Sequence, residues 1–134
     1  ADFAANRLPP PWRRTYPIGL DTEICSYDNL KITWKEAAAV HHREHVMPYL
    51  YEHPERFNIL VVQAEQDYGA FRWTVDTPAD LELIRRIARR FGGRDDFSWM
   101  DVVRLVESDP KFFQINSDVE QKHVSAVDVR AKKN

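Results

Sequence analysis

The sequence predicts an α/β fold in which a mixed sheet is flanked by helices, and three stretches carry this prediction. Residues 57–64 form a nearly continuous apolar run, which is typical of a strand buried on both faces of a sheet. Residues 71–75 alternate polar and apolar side chains, as a strand does. Residues 77–91 then carry apolar side chains at helical spacing, so a strand leads directly into an amphipathic helix.

Length and composition indicate a single globular piece covering residues 1–134. A chain of 134 residues, of which 43% are apolar and 30% charged, can bury one core. The net charge of −2 gives no electrostatic reason to expect nucleic acid or an anionic membrane as partner, and no apolar run approaches a membrane span. Cys25 is the single cysteine, which excludes an internal disulfide and indicates a cytoplasmic protein.

The first elements are two strands with a proline-rich connection between them. A strand is expected at residues 2–8. Residues 9–17 contain three consecutive prolines, and they form either an extended, mobile arm that closes over an anionic ligand or a surface connection whose aromatic side chains pack onto the body. The second strand, residues 19–25, places Asp21 and Glu23 on one face. Two carboxylates on one side of a strand face either a ligand or solvent.

Helices are expected after this strand. Ser26 is predicted to cap a helix that runs to about residue 39, with Leu30 and Trp34 on its buried side. A short helix follows at residues 41–45. His41 and His45 lie one helical turn apart and could in principle bind zinc, but no third ligand follows at a convincing spacing, so no zinc site is predicted.

The junction after residue 75 predicts both a helix start and a metal ligand. Thr77 suits the N-cap, Pro78 suits the first helical position, and Asp80 can accept backbone N–H groups from three residues past the cap. Asp76 lies where the preceding strand ends. Because the carboxyl ends of strands in an open α/β sheet border the ligand crevice, Asp76 is well placed to hold a metal ion.

Arg72 shares a face of the predicted strand with Asp76. Near a metal-triphosphate site, the arginine would balance or orient negatively charged oxygens. The alternative is a simple surface ion pair between these residues, which would contribute at most about 1 kcal/mol.

The remaining elements are helical, followed by a polar tail. Gly92 and Gly93 are expected to end the long helix, and Ser98 to begin another that runs to about Glu107. The tail at residues 117–134 is expected either to dock on a partner or to fray.

Four stretches, taken together, carry a family pattern. They are Asn6 with residues 14–23 (RTYPIGLDTE), residues 43–49 (REHVMPY), residues 72–84 (RWTVDTPADLELI) and residues 115–122 (INSDVEQK). In this order and at these distances they resemble the sugar-acid cytidylyltransferases, the family that includes the acylneuraminate cytidylyltransferases. The resemblance is to the subgroup of spore-coat polysaccharide biosynthesis cytidylyltransferase-like proteins, and it spans nearly the whole chain.

The resemblance implies that the chain is the C-terminal half of a Rossmann-like domain of the nucleotide-diphospho-sugar transferase type. Members of the family open with a basic, glycine-containing loop that wraps the triphosphate, and they carry a first metal-binding aspartate further along. Neither feature is found in this sequence, whose four glycines, at positions 19, 69, 92 and 93, form no phosphate-cradling loop. We therefore expect the chain alone to be inactive.

For the intact enzyme, the resemblance implies a reaction between CTP and a sugar or sugar acid that releases pyrophosphate, in surface polysaccharide biosynthesis. It implies Asp76 as a ligand of Mg²⁺, and Asp21, Glu23, Glu44 and Arg72 as contacts to the sugar or the phosphates. No general base is predicted. A homo-oligomer is expected, and the alternative function is a non-catalytic interaction or dimerisation module derived from the same fold.

Overall fold

The computed structural model of the protein describes residues 1–45 and 47–120. In chain order the elements are β1 (Phe3–Ala5), β2 (Glu23–Cys25), α1 (Tyr27–Glu36), α2 (Val40–Glu44), α3 (Pro48–Tyr51), β3 (Ile59–Val61), α4 (Pro78–Arg90), α5 (Trp99–Ser108) and α6 (Lys111–Gln114). The predicted α/β class is confirmed. None of the helices in this part of the chain is long and apolar enough to cross a membrane. The polar tail predicted at residues 117–134 is described only as far as residue 120, and the rest lies outside the described residues.

The sheet is mixed, as predicted, with the strand order β2-β1-β3. Ala4 in the central strand pairs with Ile24 in the antiparallel direction and with Leu60 in the parallel direction. Directly paired residues point to the same face of a sheet, so these three side chains form an apolar row. The row faces solvent, because Ile24 is 64% exposed and Leu60 is 52% exposed. The prediction that residues 57–64 are buried on both faces is therefore wrong.

The expected strand at residues 71–75 is reduced to one bridge, in which Ile18 pairs with Arg72 in the parallel direction. Its partner segment explains why the pairing is so short. Ile18 lies between Pro17, which has no N–H to donate, and Gly19, whose φ of 104° takes the chain out of the extended region.

The three helix starts predicted from the sequence are confirmed. The side chains of Ser26, Thr77 and Ser98 each accept a hydrogen bond from the backbone N–H three residues later. The predicted buried side of α1 is wrong for Trp34, which is 73% exposed. The buried side carries Thr33 instead, whose hydroxyl donates to a carbonyl of the preceding turn at 3.0 Å, so its polar group is satisfied inside the protein.

The proline-rich segment is a surface connection, not an extended arm. The N–H of Trp12 donates to the carbonyl of Pro9 at 3.2 Å, which closes a turn, and the Trp12 side chain packs against the first core cluster. The ring of Tyr16 lies 5.6 Å from the ring of Trp99. Both aromatic side chains therefore hold this segment to the body.

Within residues 1–45 and 47–120, the buried apolar side chains form two clusters. The first lies beneath the sheet and contains Phe3 of β1, Leu50 of α3 and Phe57. The second joins α4 to α5, and Phe71 and Trp73 pack against it. The second cluster therefore fixes the segment that leads to Asp76.

Candidate functional site

The segment that ends at Asp76 is held against the loop around Ile18. The N–H of Ile18 donates to the carbonyl of Phe71 at 2.8 Å, and the N–H of Trp73 donates to the carbonyl of Ile18 at 2.7 Å. Gly19 allows this approach, because a Cβ atom at this position would lie 2.7 Å from the backbone carbon of Trp73. The two segments run parallel at this single bridge, and the chain reaches Asp21 three residues after it in one segment and Asp76 four residues after it in the other.

Helix α4 begins immediately after Asp76 in a capping box. The Thr77 hydroxyl accepts from the N–H of Asp80 at 3.2 Å, while Oδ2 of Asp80 accepts from the N–H of Thr77 at 3.0 Å. The same oxygen also accepts from the N–H of Asp76 at 3.1 Å. The cap thus fixes the backbone on both sides of the predicted metal ligand.

Arg72 connects the buried Asp80 to the exposed Asp76. Its side chain is 7% exposed, and its guanidinium grips Asp80 through Nε to Oδ1 at 2.9 Å and through Nη2 to Oδ2 at 3.0 Å. Nη2 also donates to Oδ2 of Asp76 at 2.9 Å. Two parallel bonds to one carboxylate hold the guanidinium plane in place, so Arg72 presents a fixed donor to Asp76.

Asn116 completes this cluster from the other end of the chain. It is 5% exposed, and its side-chain amide donates to Oδ1 of Asp80 and to the carbonyl of Arg72, both at 2.8 Å. The motif at residues 115–122 therefore meets the motif at residues 72–84 through a buried hydrogen-bond network. We call Arg72, Asp80 and Asn116 the buried polar cluster.

The charges of the buried polar cluster are fixed. Burial disfavours the ionised carboxylate of Asp80, whose side chain is fully buried, but hydrogen bonds from Arg72 and Asn116 outweigh that effect and hold its pKa well below the ordinary range. The hydrogen bond to Asp80 in turn raises the pKa of Arg72. The cluster is therefore an ion pair throughout the physiological range.

Asp76, the predicted metal ligand, is an exposed carboxylate at the start of α4. Its side chain is 64% exposed, and Oδ2 accepts from Arg72 and, at 2.9 Å, from the hydroxyl of Thr74. Carboxylate oxygen is a ligand that Mg²⁺ prefers. Asp76 is not part of a group of three or more possible metal-binding side chains within residues 1–45 and 47–120. It fits Mg²⁺ as a single protein ligand, with the remaining positions left to substrate oxygens or water.

Asp21 and Glu23 lie on the other segment. Arg14 forms an ion pair with Asp21, in which Nη2 donates to Oδ2 at 3.1 Å. The side chain of Glu23 is exposed, yet the surrounding protein removes enough water to raise its pKa; Arg7 opposes this shift and Asp21 adds to it. Both carboxylates therefore lie at one place on the surface.

Asn6 fixes the loop that carries Asp21. Its side-chain amide donates to the carbonyl of Leu20 at 2.8 Å, and its carbonyl oxygen accepts from the N–H of Thr22 at 2.8 Å. These bonds tie the loop to the end of β1 on both sides of Asp21.

Glu44 is the last residue of α2 and is exposed. Its side chain makes no hydrogen bond within the described part of the chain. The next residue, His45, lies close enough to Glu23 to lower its pKa, so the end of α2 does reach the region of Glu23.

Of the predicted site residues, the structure joins Arg72 directly to Asp76 and places Asp21 near Glu23. It adds Asp80 and Asn116, which the sequence predicts only as a helix cap and as part of a family motif. Their burial was not visible in the sequence, although a polar residue in each of two separated motifs was a signal that they meet.

Similar proteins are known from archaea and bacteria. An uncharacterized protein of Methanocaldococcus jannaschii is 30% identical over 116 residues, which are 83% of this chain and 46% of that protein. The spore coat polysaccharide biosynthesis protein SpsF of Bacillus subtilis is 28% identical over 97 residues, which are 70% of this chain and 40% of that protein. No family model matches the chain.

The fold is also found in a solved structure. A cytidylyltransferase from Leptospira borgpetersenii superposes with a TM-score of 0.76 and 25% sequence identity, over 91% of this chain and 48% of that one. The chain thus spans less than half the length of each of these relatives. The similarities confirm the family resemblance of the four motifs and the predicted α/β fold class.

Proposed function

We propose that this cytidylyltransferase-like chain supplies the metal-holding and sugar-facing part of a nucleotidyltransferase. The complete enzyme would join CTP to a sugar or sugar acid and release pyrophosphate, in the biosynthesis of a surface polysaccharide. Two similar proteins, a cytidylyltransferase and a spore coat polysaccharide biosynthesis protein, support the assignment. The chain alone is proposed to be inactive, because a glycine-rich loop that wraps a triphosphate is not among its residues.

In this proposal Asp76 is the protein ligand of Mg²⁺. The ion, when bound, would neutralise negative charge on the triphosphate. Arg72 and Thr74 both donate to Oδ2 of Asp76, so the carboxylate is oriented before the metal arrives. Such preorganisation lowers the cost of ordering the site when the substrate binds.

Asp21 and Glu23 are proposed to accept hydrogen bonds from sugar hydroxyls. Asn6 holds the loop in place, and the ion pair with Arg14 orients Asp21. Glu44 is proposed to contact the sugar at the rim of the site, next to His45.

The observation that carries the proposal is the buried polar cluster. A surface ion pair between Arg72 and Asp76 does not require a fully buried carboxylate and a buried amide behind it. Here Asp80 and Asn116 immobilise the arginine, and the arginine holds an exposed carboxylate. An exposed acid held this rigidly suits a ligand that must meet a metal in one geometry.

The test replaces Asp76 by Asn in the full-length protein. Asp76→Asn keeps the size of the side chain and removes one charge at the metal, so the rate of pyrophosphate release from CTP should fall by orders of magnitude. Thermal stability should change little, because Asp76 is exposed. The matched control is Asp101→Asn, which alters the carboxylate in the capping box of α5 and should spare the rate. If both variants keep the wild-type rate, Asp76 is not the metal ligand.

A non-catalytic interaction module is the second candidate function. The observation that favours it is the exposed apolar row formed by Ala4, Ile24 and Leu60. An intact mass of the natural protein equal to that of this chain, together with no transferase activity, would favour this candidate.

A further inference from the structure

A cluster of metal-binding side chains lies apart from Asp76, where α2 and α3 meet. Nε2 of His42 is 2.7 Å from Oε2 of Glu52, and Nε2 of His41 is 3.1 Å from Oε1 and 3.2 Å from Oε2 of the same carboxylate. Each residue offers one ligand atom, and these atoms all lie within 4.8 Å of one another. We call these three residues the His-His-Glu cluster.

The short helices bring these side chains together. Successive residues on a long helix point in different directions, but here the rings of His41 and His42 lie 4.1 Å apart. Both are in α2, which has only 5 residues, and Glu52 is the C-cap of α3. Contacts between α2 and α3 therefore decide the geometry, and the sequence spacing does not reveal it.

One ligand is rigid and the other two are open to solvent. The side chain of His42 is only 9% exposed, and its ring packs edge-on against Tyr49 at 5.5 Å. Its Nδ1 is buried without a hydrogen-bond partner in the described part of the chain, so Nε2 is the atom that this ring offers for bonding. His41 and Glu52 are 48% and 41% exposed, so an ion can reach the cluster from solvent.

We propose that His41, His42 and Glu52 bind a zinc ion. Imidazole nitrogen with carboxylate oxygen is a ligand set that Zn²⁺ takes readily, whereas Mg²⁺ and Ca²⁺ prefer oxygen alone. Three protein ligands leave the fourth tetrahedral position to water. The site is independent of the proposed transferase activity, because none of its ligands belongs to the predicted sugar or Mg²⁺ site.

The bound ion would join α2 to α3. In the absence of metal, the carboxylate of Glu52 accepts hydrogen bonds from both imidazoles, and these bonds hold the ligands near one another. Zinc would replace these exposed hydrogen bonds with coordination bonds, and it would stabilise the folded chain by mass action.

The test titrates the untagged, metal-free chain with zinc sulfate and, separately, with magnesium chloride. The expected result is saturable binding of one zinc ion per chain by calorimetry, with no magnesium binding at this cluster. Co²⁺ should produce the visible absorption of a tetrahedral site. The melting temperature should rise with zinc.

Variants assign the site. Both His41→Gln and Glu52→Gln change exposed side chains, and each should weaken zinc binding by at least about tenfold. The matched control is His45→Gln, because His45 lies one turn from His41 and outside the cluster. A second control is Cys25→Ser, which removes the only thiol. Both variants should bind zinc as the wild type does. The proposal would be overturned if zinc binding is not saturable, or if Glu52→Gln binds zinc as tightly as the wild type. The cluster would then be only a Glu52 carboxylate that accepts hydrogen bonds from two imidazoles.

Discussion

The buried carboxylate of Asp80 takes part both in the cap of α4 and in the ion pair with Arg72. Its Oδ2 accepts from the N–H groups of Asp76 and Thr77 at the start of α4, and the same carboxylate accepts two hydrogen bonds from the Arg72 guanidinium. Asn116 adds a further donor to Oδ1. A change at Asp80 therefore acts on the helix cap, on the buried arginine and on the orientation of Asp76.

The first prediction concerns Asp80→Asn. This variant removes the buried counter-charge of the Arg72 guanidinium and leaves it only the exposed carboxylate of Asp76, so the free energy of unfolding should fall by about 3–5 kcal/mol in urea denaturation. The control Asp101→Asn changes an exposed capping-box carboxylate and should cost about 1 kcal/mol or less. Equal losses in the two variants would show that Asp80 is only a cap.

The second prediction concerns pH. Hydrogen bonds from Arg72 and Asn116 overcome the effect of burial and keep the folded-state pKa of Asp80 below its unfolded value of about 3.9. Its stabilising contribution is therefore complete above that unfolded value and is lost as the pH falls through the folded one. The free energy of unfolding should drop below about pH 4 more steeply in the wild type than in Asp80→Asn. Parallel pH profiles would contradict the assignment.

The residues of the site differ in how far the sequence predicts them. The spacing of Thr77 and Asp80 predicts the cap, and strand alternation predicts that Arg72 and Asp76 share a face. Neither pattern predicts that Asp80 is buried, because burial depends on Asn116, which is 36 positions away. Local patterns carry no information about such a distant contact.

At the scale of elements, helix ends are better predicted than strands. The caps at Ser26, Thr77 and Ser98 depend on bonds within a few residues, and all three are confirmed. A strand depends on a partner elsewhere in the chain. For residues 71–75 the partner segment turns away at Gly19, so a correct alternation pattern yields only one bridge.

The third prediction compares two glycines of positive φ. Gly19 has a φ of 104° and lies against the backbone of Trp73, whereas Gly92 has a φ of 64° and open space around it. Gly19→Ala adds a backbone clash to conformational strain, so it should cost about 2–5 kcal/mol. Gly92→Ala should cost about 1–2 kcal/mol, from strain alone. Equal changes in the urea midpoint would mean that the approach of Gly19 to Trp73 is easily relaxed.

At the scale of the whole molecule, the sheet leaves an apolar surface uncovered. Ile24 in β2 and Leu60 in β3 flank Ala4 of the central strand, and both side chains are more than half exposed. Apolar surfaces of this kind are commonly covered by another chain. The fourth prediction is that the purified chain forms a dimer in sedimentation experiments at chain concentrations of roughly tens of micromolar, as a weak interface would. Leu60→Lys should shift it toward monomer, while Glu55→Lys, which is exposed outside the sheet, should not. A monomeric wild type would contradict the prediction.

The fifth prediction is that the chain alone does not bind CTP appreciably. Asp76 offers one carboxylate to a metal-bound triphosphate, and a single exposed ligand without a phosphate loop is too little for tight binding. Calorimetry with CTP and Mg²⁺ should therefore give no saturable heat at micromolar concentrations. Low-micromolar binding would mean that a nucleotide site is built within this chain.

The central position of β1 has a consequence for the order of folding. Its parallel partner β3 is far away in sequence, as the bond from the N–H of Asn58 to the Asp2 carboxylate shows, since the two residues are 56 positions apart. Closing so long a loop is slow, because chain entropy is lost before the contacts form. The cluster between α4 and α5 needs only local closure. The half of the molecule that carries Asp80 should therefore form first, and the sheet should assemble onto it in the rate-limiting step.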